Sequence, residues 1–187
     1  MIKEKKMKNK YLLTATAIGA FMMTMGMTAS VQAAQSQGDS SLELGGSFFH
    51  AQDAEVGTLN LDFSYGYFTS DSLEFGLIQS LGYSIIDDAD DEWIASTIPF
   101  VNYYFLGTSD SAFQPFIGAF IGASYNEDDI TGTLGPQIGF RSYITEKTYI
   151  SVKYRYEWFF EELEIDEIED ESSDGNHVVT LGVGFLF

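Results

Sequence analysis

The sequence predicts an all-β fold: an eight-stranded antiparallel up-and-down transmembrane β-barrel. Three observations lead to this fold class. From Ser41 onward, apolar and aromatic residues occupy every second position in eight segments, which is the period of a β-strand. Short connections alternate along the chain with longer or strongly acidic ones. The last segment, residues 177–187, alternates as far as a terminal Phe187.

The first 34 residues predict an export signal rather than part of the barrel. Lysines between Lys3 and Lys10 precede an apolar run from Tyr11 to Met27, and the segment ends in the small residues Ala33 and Ala34. This order of regions is typical of a Sec signal peptide. A transmembrane anchor helix is the alternative, but threonines and a glycine interrupt the run. We therefore expect residues 1–34 to be a signal peptide and residues 35–187 to form the barrel domain.

The composition of the remaining chain excludes several classes of function. It contains no cysteine, which excludes disulfides and thiolate metal sites. Four basic residues remain beyond residue 34 against 27 Asp and Glu, a net charge of −23. Such a chain would repel phosphate backbones, so we expect no nucleic-acid partner. No apolar run approaches 18 residues beyond residue 34, so this part could cross a bilayer only as a barrel.

The eight predicted strands have lengths that suit tilted strands across an apolar band of about 25 Å. An even number of strands is typical of such barrels. The predicted bounds are 41–51, 56–69, 73–86, 93–106, 114–125, 132–144, 149–161 and 177–187.

The connections fall into two kinds. Those after the second, fourth and sixth strands are short: 70–72, 107–113 and 145–148. Those after the third, fifth and seventh strands are longer or strongly acidic: 87–92, 126–130 and 162–176. The connection after the first strand, 52–55, is short but acidic. Because outer-membrane barrels place tight turns in the periplasm and longer loops outside, we expect both termini in the periplasm.

The alternation assigns one face of each strand to lipid and the other to the barrel interior. In the last strand, Val179, Leu181 and Val183 share the outward face, whereas Thr180 and Gly182 share the inward face. A water-soluble barrel would carry its charges outside. Here seven charged residues of the predicted strands fall on the inward face: Glu43, Asp62, Glu74, Arg141, Lys153, Arg155 and Glu157.

Unpaired charges in a confined interior would cost several kcal/mol each. We therefore predict that these seven side chains form a connected ion-pair network that plugs the bore. A charged permeation path is the alternative. It is disfavoured because about eight strands leave an interior filled by side chains.

Three segments carry a resemblance to a known family. They are Thr97-Ile-Pro-Phe-Val-Asn-Tyr-Tyr-Phe105, Phe116-Ile-Gly-Ala-Phe-Ile-Gly-Ala123 and Val183-Gly-Phe-Leu-Phe187. Together with the predicted signal peptide, the chain beyond Gln35 resembles the small outer-membrane β-barrels of Gram-negative cell envelopes. That family includes OmpA-type transmembrane domains, OmpX/Ail-type barrels and opacity-like proteins.

The resemblance implies an outer-membrane location and a set of partners. It implies that the terminal strand, with Phe185 and Phe187, is the assembly signal read by the barrel-assembly machinery. It further implies periplasmic chaperones, outer-membrane lipid and lipopolysaccharide as partners, and a monomer. Because the sequence stops at Phe187, we do not expect the peptidoglycan-binding half of a full OmpA-type protein.

We considered catalysis at the two histidines, His50 and His177. Some small barrels are lipid A deacylases that use a His and a Ser with an acidic partner, and Ser172 and Ser173 precede His177. These serines lie in a connection without fixed geometry, and the His-x-Ser arrangement of that family is absent. We therefore expect no catalytic residues and no enzymatic activity.

The acidic connections could attract Ca²⁺ or Mg²⁺ weakly through their carboxylates. No connection has the spacing of an EF-hand loop, so we expect no dedicated metal site and no cofactor. The sequence thus predicts an outer-membrane barrel with a structural or surface-interaction role. The first alternative is a narrow pore or carrier for small solutes, and the second is a lipid A-modifying enzyme.

Overall fold

The computed structural model describes residues 35–51, 56–86, 92–105, 112–126, 130–160 and 176–187. These residues form a closed barrel in which each strand pairs with its neighbours in the chain and the first strand pairs with the last. Every pairing is antiparallel. The strands are β1 (Ser40–Ala51), β2 (Val56–Ser70), β3 (Leu73–Ile86), β4 (Glu92–Tyr104), β5 (Phe113–Tyr125), β6 (Ile130–Tyr143), β7 (Thr148–Phe160) and β8 (Asn176–Leu186).

The predicted fold class is confirmed, and no strand end differs from its predicted position by more than two residues. The predicted signal peptide and most of the predicted connections lie outside the described residues. No helix within the described ranges has the length and apolar character needed to span a membrane.

Two short turns lie at one end of the barrel, which we call the turn end. The β2–β3 turn is held by Ser70, whose Oγ accepts a hydrogen bond from the Leu73 amide at 3.1 Å. The β6–β7 turn is held by Thr145, whose Oγ1 accepts from the Thr148 amide at 2.9 Å. Such local hydroxyl-to-backbone bonds stabilise tight reversals of the chain.

The alternation of faces in the structure follows the alternation in the sequence. In β8, Leu181 is 62% exposed whereas Thr180 and Leu186 are buried. The same pattern runs along β2, where Leu61 and Phe63 are exposed and Asp62 is buried. An apolar outer surface around a polar interior is the arrangement of a barrel whose solvent is lipid.

The seam between β1 and β8 closes the barrel at the turn end. The Ser40 amide donates to the Phe187 carbonyl and the Phe187 amide donates to the Ser40 carbonyl, each at 2.9 Å. Just before β1, Gly38 adopts a φ of +97°, which glycine adopts without steric cost. Its amide donates to the Phe68 carbonyl, and this hydrogen bond joins the segment directly before β1 to β2.

The interior near the turn end is filled by aromatic rings. Tyr143 and Tyr149 pack with ring centroids 5.4 Å apart, and Tyr104 packs against Phe116 at 5.2 Å. The Tyr149 ring lies over Gly184 of β8, where a Cβ atom would collide with it. The buried cluster comprises Phe68, Tyr104, Phe116, Tyr143, Tyr149 and Leu186. A second buried cluster comprises Ile78, Ile98, Phe100 and Phe120.

Candidate functional site

The seven charged residues predicted for the interior all belong to strands that direct them inward. Six of them are buried, and the side chain of Glu157 is 13% exposed. They come from β1, β2, β3, β6 and β7. The structure joins them in two groups of ion pairs: Glu43, Glu74, Arg141 and Lys153, and separately Asp62, Arg155 and Glu157.

Glu74 is the most deeply buried of the seven, with 0% exposure. Its carboxylate accepts a hydrogen bond from Arg141 Nη2 at 2.9 Å. It also accepts from Ser41 Oγ at 2.5 Å, Tyr104 Oη at 2.8 Å and Asn102 Nδ2 at 3.1 Å. A carboxylate with several donors and one close cation is satisfied even without water.

The Arg141 guanidinium is also surrounded by three aromatic rings. Its Cζ lies 4.4 Å from the centroid of Tyr149, 5.0 Å from Tyr104 and 5.8 Å from Phe68. Its Nε and Nη1 have no hydrogen-bond partner among the described residues. The cation is therefore stabilised by ring faces where hydrogen-bond acceptors are lacking.

Glu43 joins Lys153 to the group that contains Glu74 and Arg141. Lys153 Nζ donates to Glu43 Oε1 at 3.2 Å, and Arg141 Nε lies 4.0 Å from Glu43 Oε2. Lys153 Nζ also lies 6.0 Å from the centroid of the Phe100 ring. This first group therefore has two acids and two bases, so its charges balance.

The second group has two acids and one base. Arg155 Nη2 lies 3.5 Å from Asp62 Oδ2, and Arg155 Nε lies 3.4 Å from Glu157 Oε1. Asp62 also accepts hydrogen bonds from Ser80 Oγ at 2.6 Å and from Thr180 Oγ1 at 3.3 Å. If all three groups are ionised, the second group carries one net negative charge.

A cavity of about 370 Å³ adjoins the second group. It lies toward the end of the barrel opposite the turn end, and its wall is part polar and part apolar. Arg155 and Glu157 of β7 line it together with Ser80, Ser96 and Ser124. The half of the barrel near the turn end is filled by rings and balanced ion pairs, whereas this half contains an open chamber.

Several polar partners were not among the residues predicted for the site. They are Ser41, Ser80, Asn102, Tyr104, Gln137 and Thr180. Gln137 Nε2 donates to Asn102 Oδ1 at 2.5 Å and so holds the amide that donates to Glu74. Their inward position was readable from the period of two, but their pairing depends on the stagger of strands around the barrel.

His177 lies in an exposed position on β8 and contacts two tyrosines of β7. Tyr154 Oη lies 2.7 Å from His177 Nδ1, and the rings of Tyr154 and Tyr156 lie 6.0 and 5.0 Å from its ring. Ser172 and Ser173, the serines considered as nucleophiles, lie outside the described residues, as does the His50 side chain.

Phe185 and Phe187, predicted as the assembly signal, lie on the outward face of the seam. Their ring centroids are 6.0 Å apart, and Phe187 is 57% exposed. Phe187 extends beyond β8 but keeps backbone hydrogen bonds to Ser40.

The amino-acid sequence matches the family described as "Outer membrane protein beta-barrel domain" over residues 19–187. No curated protein sequence matches the chain. Among solved structures, the outer membrane protein OprG from Pseudomonas aeruginosa is similar, with 12% identity, a TM-score of 0.54, and coverage of 84% of this chain and 99% of that one. Neisserial surface protein A (NspA) is similar with 15% identity, a TM-score of 0.52, and coverage of 80% and 93%. These likenesses agree with the eight-stranded barrel fold.

Proposed function

Because this chain belongs to the outer membrane protein beta-barrel domain family, we propose that it serves as a structural or surface-interaction barrel of the outer membrane. In this proposal, the ion pairs and aromatic rings near the turn end close the bore. The observation that carries it is the Glu74–Arg141 pair, buried at 0% and 3% exposure beside three aromatic rings.

The closure has a simple physical basis. To admit water or ions past this point, the barrel would have to move Arg141 away from Glu74 and from the rings that cover it. Separating a buried ion pair leaves two uncompensated charges in a confined space, and each costs several kcal/mol. The neighbouring pair of Glu43 and Lys153 adds a second layer of the same kind.

The route to the membrane is part of the proposal. Residues 1–34 act as a Sec signal peptide and both termini lie in the periplasm. Phe185 and Phe187 present outward rings to the barrel-assembly machinery, after delivery by periplasmic chaperones. The monomeric barrel then contacts outer-membrane lipid and lipopolysaccharide through its apolar outer face.

A non-enzymatic role is supported by the surroundings of His177. Its Nδ1 pairs with the Tyr154 hydroxyl and its ring packs on two tyrosines. Aromatic residues of this kind are typical of the interface between lipid and water. In this proposal, His177 and the two tyrosines anchor the barrel at that interface.

A narrow pore for small solutes is the second candidate, and one observation favours it. The cavity opposite the turn end shows that part of the interior has room for water-sized molecules. For a pore, this space would have to continue past Arg141 and Tyr149 to the turn end.

The conductance of the refolded protein in planar lipid bilayers tests the proposal against a pore. We expect no discrete current steps, because the layer around Arg141 leaves no continuous aqueous path. Insertion should be verified on the same preparation by heat-modifiable gel mobility. Reproducible unitary steps from folded protein would overturn the closed-barrel proposal in favour of the pore.

A further inference from the structure

The cavity opposite the turn end has the size and lining of a small-molecule site. Its volume of about 370 Å³ lies within the range of roughly 300–1,000 Å³ typical of ligand pockets. Hydroxyl and amide side chains supply much of its wall. They include Asn60, Ser80, Ser96, Ser124, Thr131 and Asn176.

One side chain in the wall has unused donors. Arg155 has a side chain that is only 4% exposed, and its Nε and Nη1 have no hydrogen-bond partner among the described residues. Its ion pairs to Asp62 and Glu157, at 3.5 and 3.4 Å, are long. Buried donors of this kind are normally satisfied by an acceptor. Both nitrogens are covered by protein in this structure, so an oxygen atom in the cavity reaches them once the guanidinium turns toward it.

Arg155 differs from Arg141 in what covers it. The free nitrogens of Arg141 face a filled space, with three ring centroids within 5.8 Å. Arg155 has one such ring, Phe120, at 5.8 Å, and it lines open volume. Contact with ring faces therefore explains the unpaired nitrogens of Arg141 but not those of Arg155.

The charge of the group restricts the ligand. Arg155 is flanked by Asp62 and Glu157, so with all three groups ionised an anion that approached its donors would meet a net negative charge. A cation would be drawn to Glu157 but would supply no acceptor for the guanidinium. A neutral hydroxyl group can accept from Arg155 and donate to Glu157 at the same time.

We propose that this cavity binds a neutral polyhydroxylated molecule of about the size of one sugar ring. Adjacent hydroxyls accept from Arg155 and donate to Glu157, and the serine, threonine and asparagine side chains take the remaining hydroxyls. Phe159, Ile94 and Val178 in the wall supply apolar surface for the C–H face of the ring. The ligand is either a free sugar or a sugar of a membrane glycolipid, since both present the same hydroxyls.

Saturation-transfer NMR on the refolded full chain in a phosphocholine detergent, which carries no sugar of its own, tests this proposal. The probes are D-glucose, lipopolysaccharide, glycine and acetate, each added separately. We expect signal transfer to glucose or to lipopolysaccharide sugar protons and none to glycine or acetate. Transfer to glucose identifies a free-sugar site, and transfer to lipopolysaccharide alone identifies a glycolipid site.

Two variants connect the signal to the cavity. Ser124→Leu fills it from β5, and Ser96→Val fills it from β4 if the first variant does not fold. Either should reduce the transfer to background. The matched control is Ala123→Leu, which adds the same side chain on the opposite face of β5 and should leave the signal unchanged. Binding of acetate or glycine alone, no binding of either sugar probe, or sugar binding that survives the filled cavity would each overturn the proposal.

Discussion

Arg141→Met should lower the free energy of unfolding by about 3–5 kcal/mol, the usual cost of removing one partner from a buried ion pair. Glu74 is 0% exposed, so water cannot replace the lost guanidinium. Glu43 loses its second cation, at 4.0 Å, in the same substitution. Methionine keeps much of the volume between the rings, so the effect measures charge rather than packing. Urea unfolding in lipid vesicles provides the measurement.

Two further variants make this result specific. Lys147→Met removes an exposed base from the β6–β7 turn and should change stability by no more than about 0.5 kcal/mol. The double variant Arg141→Met with Glu74→Gln should recover much of the loss, because a glutamine side chain is neutral and leaves no unpaired charge in the interior. A loss below about 1 kcal/mol for the single variant, or no recovery in the double variant, would contradict the proposed role of this pair.

Phe187→Ala should reduce the amount of folded barrel in the outer membrane several-fold. The outward ring of Phe187 is proposed as the group that the assembly machinery reads, and its removal leaves the Ser40 backbone bonds available to close the seam. Folded and unfolded protein in isolated outer membranes can be distinguished by heat-modifiable gel mobility. Refolding of purified protein into vesicles should change much less, since no machinery is involved there.

Leu181→Ala is the matched control for Phe187→Ala. Leu181 belongs to β8, which ends directly before Phe187. It lies on the same outward face and is exposed to a similar degree, at 62% against 57%. Equal yields for both variants and the unaltered chain would refute the assembly role. An equal fall in both would assign the effect to lost lipid contact rather than to recognition of the terminal ring.

The fold and the faces of the strands were predictable from the sequence, because both depend on local alternation. Successive side chains of a strand point to opposite faces, so Leu181 is assigned to the outward face and Thr180 to the inward face from the alternation alone. The pairing of particular charges was not predictable. Glu74 and Arg141 are 67 residues apart, and their contact across the bore depends on the stagger with which β1 closes onto β8.

The division of the interior into a filled half and an open half was also not predicted, although the sequence contains a signal for it. Inward residues nearer the turn end are large, such as Tyr104, Tyr143 and Tyr149, whereas those at the other end include Ser96 and Ser124. Sorting inward residues by their distance from the turns would have indicated a filled half and an open half. The volume of the cavity and the free donors of Arg155 still required coordinates, since both depend on side-chain positions.

The interior is proposed to be open to solutes at one end and closed near Arg141. Because the chain contains no cysteine, the accessibility of single introduced cysteines tests this claim. Ser96→Cys places a thiol in the cavity, and Ser151→Cys places one beside Arg141, at a position that is 1% exposed. Each variant, reconstituted in vesicles, is treated with a charged methanethiosulfonate reagent on both sides. Ser96→Cys should be modified, and Ser151→Cys should react only after heat unfolding; modification of both thiols at similar rates in the folded barrel would contradict the claim.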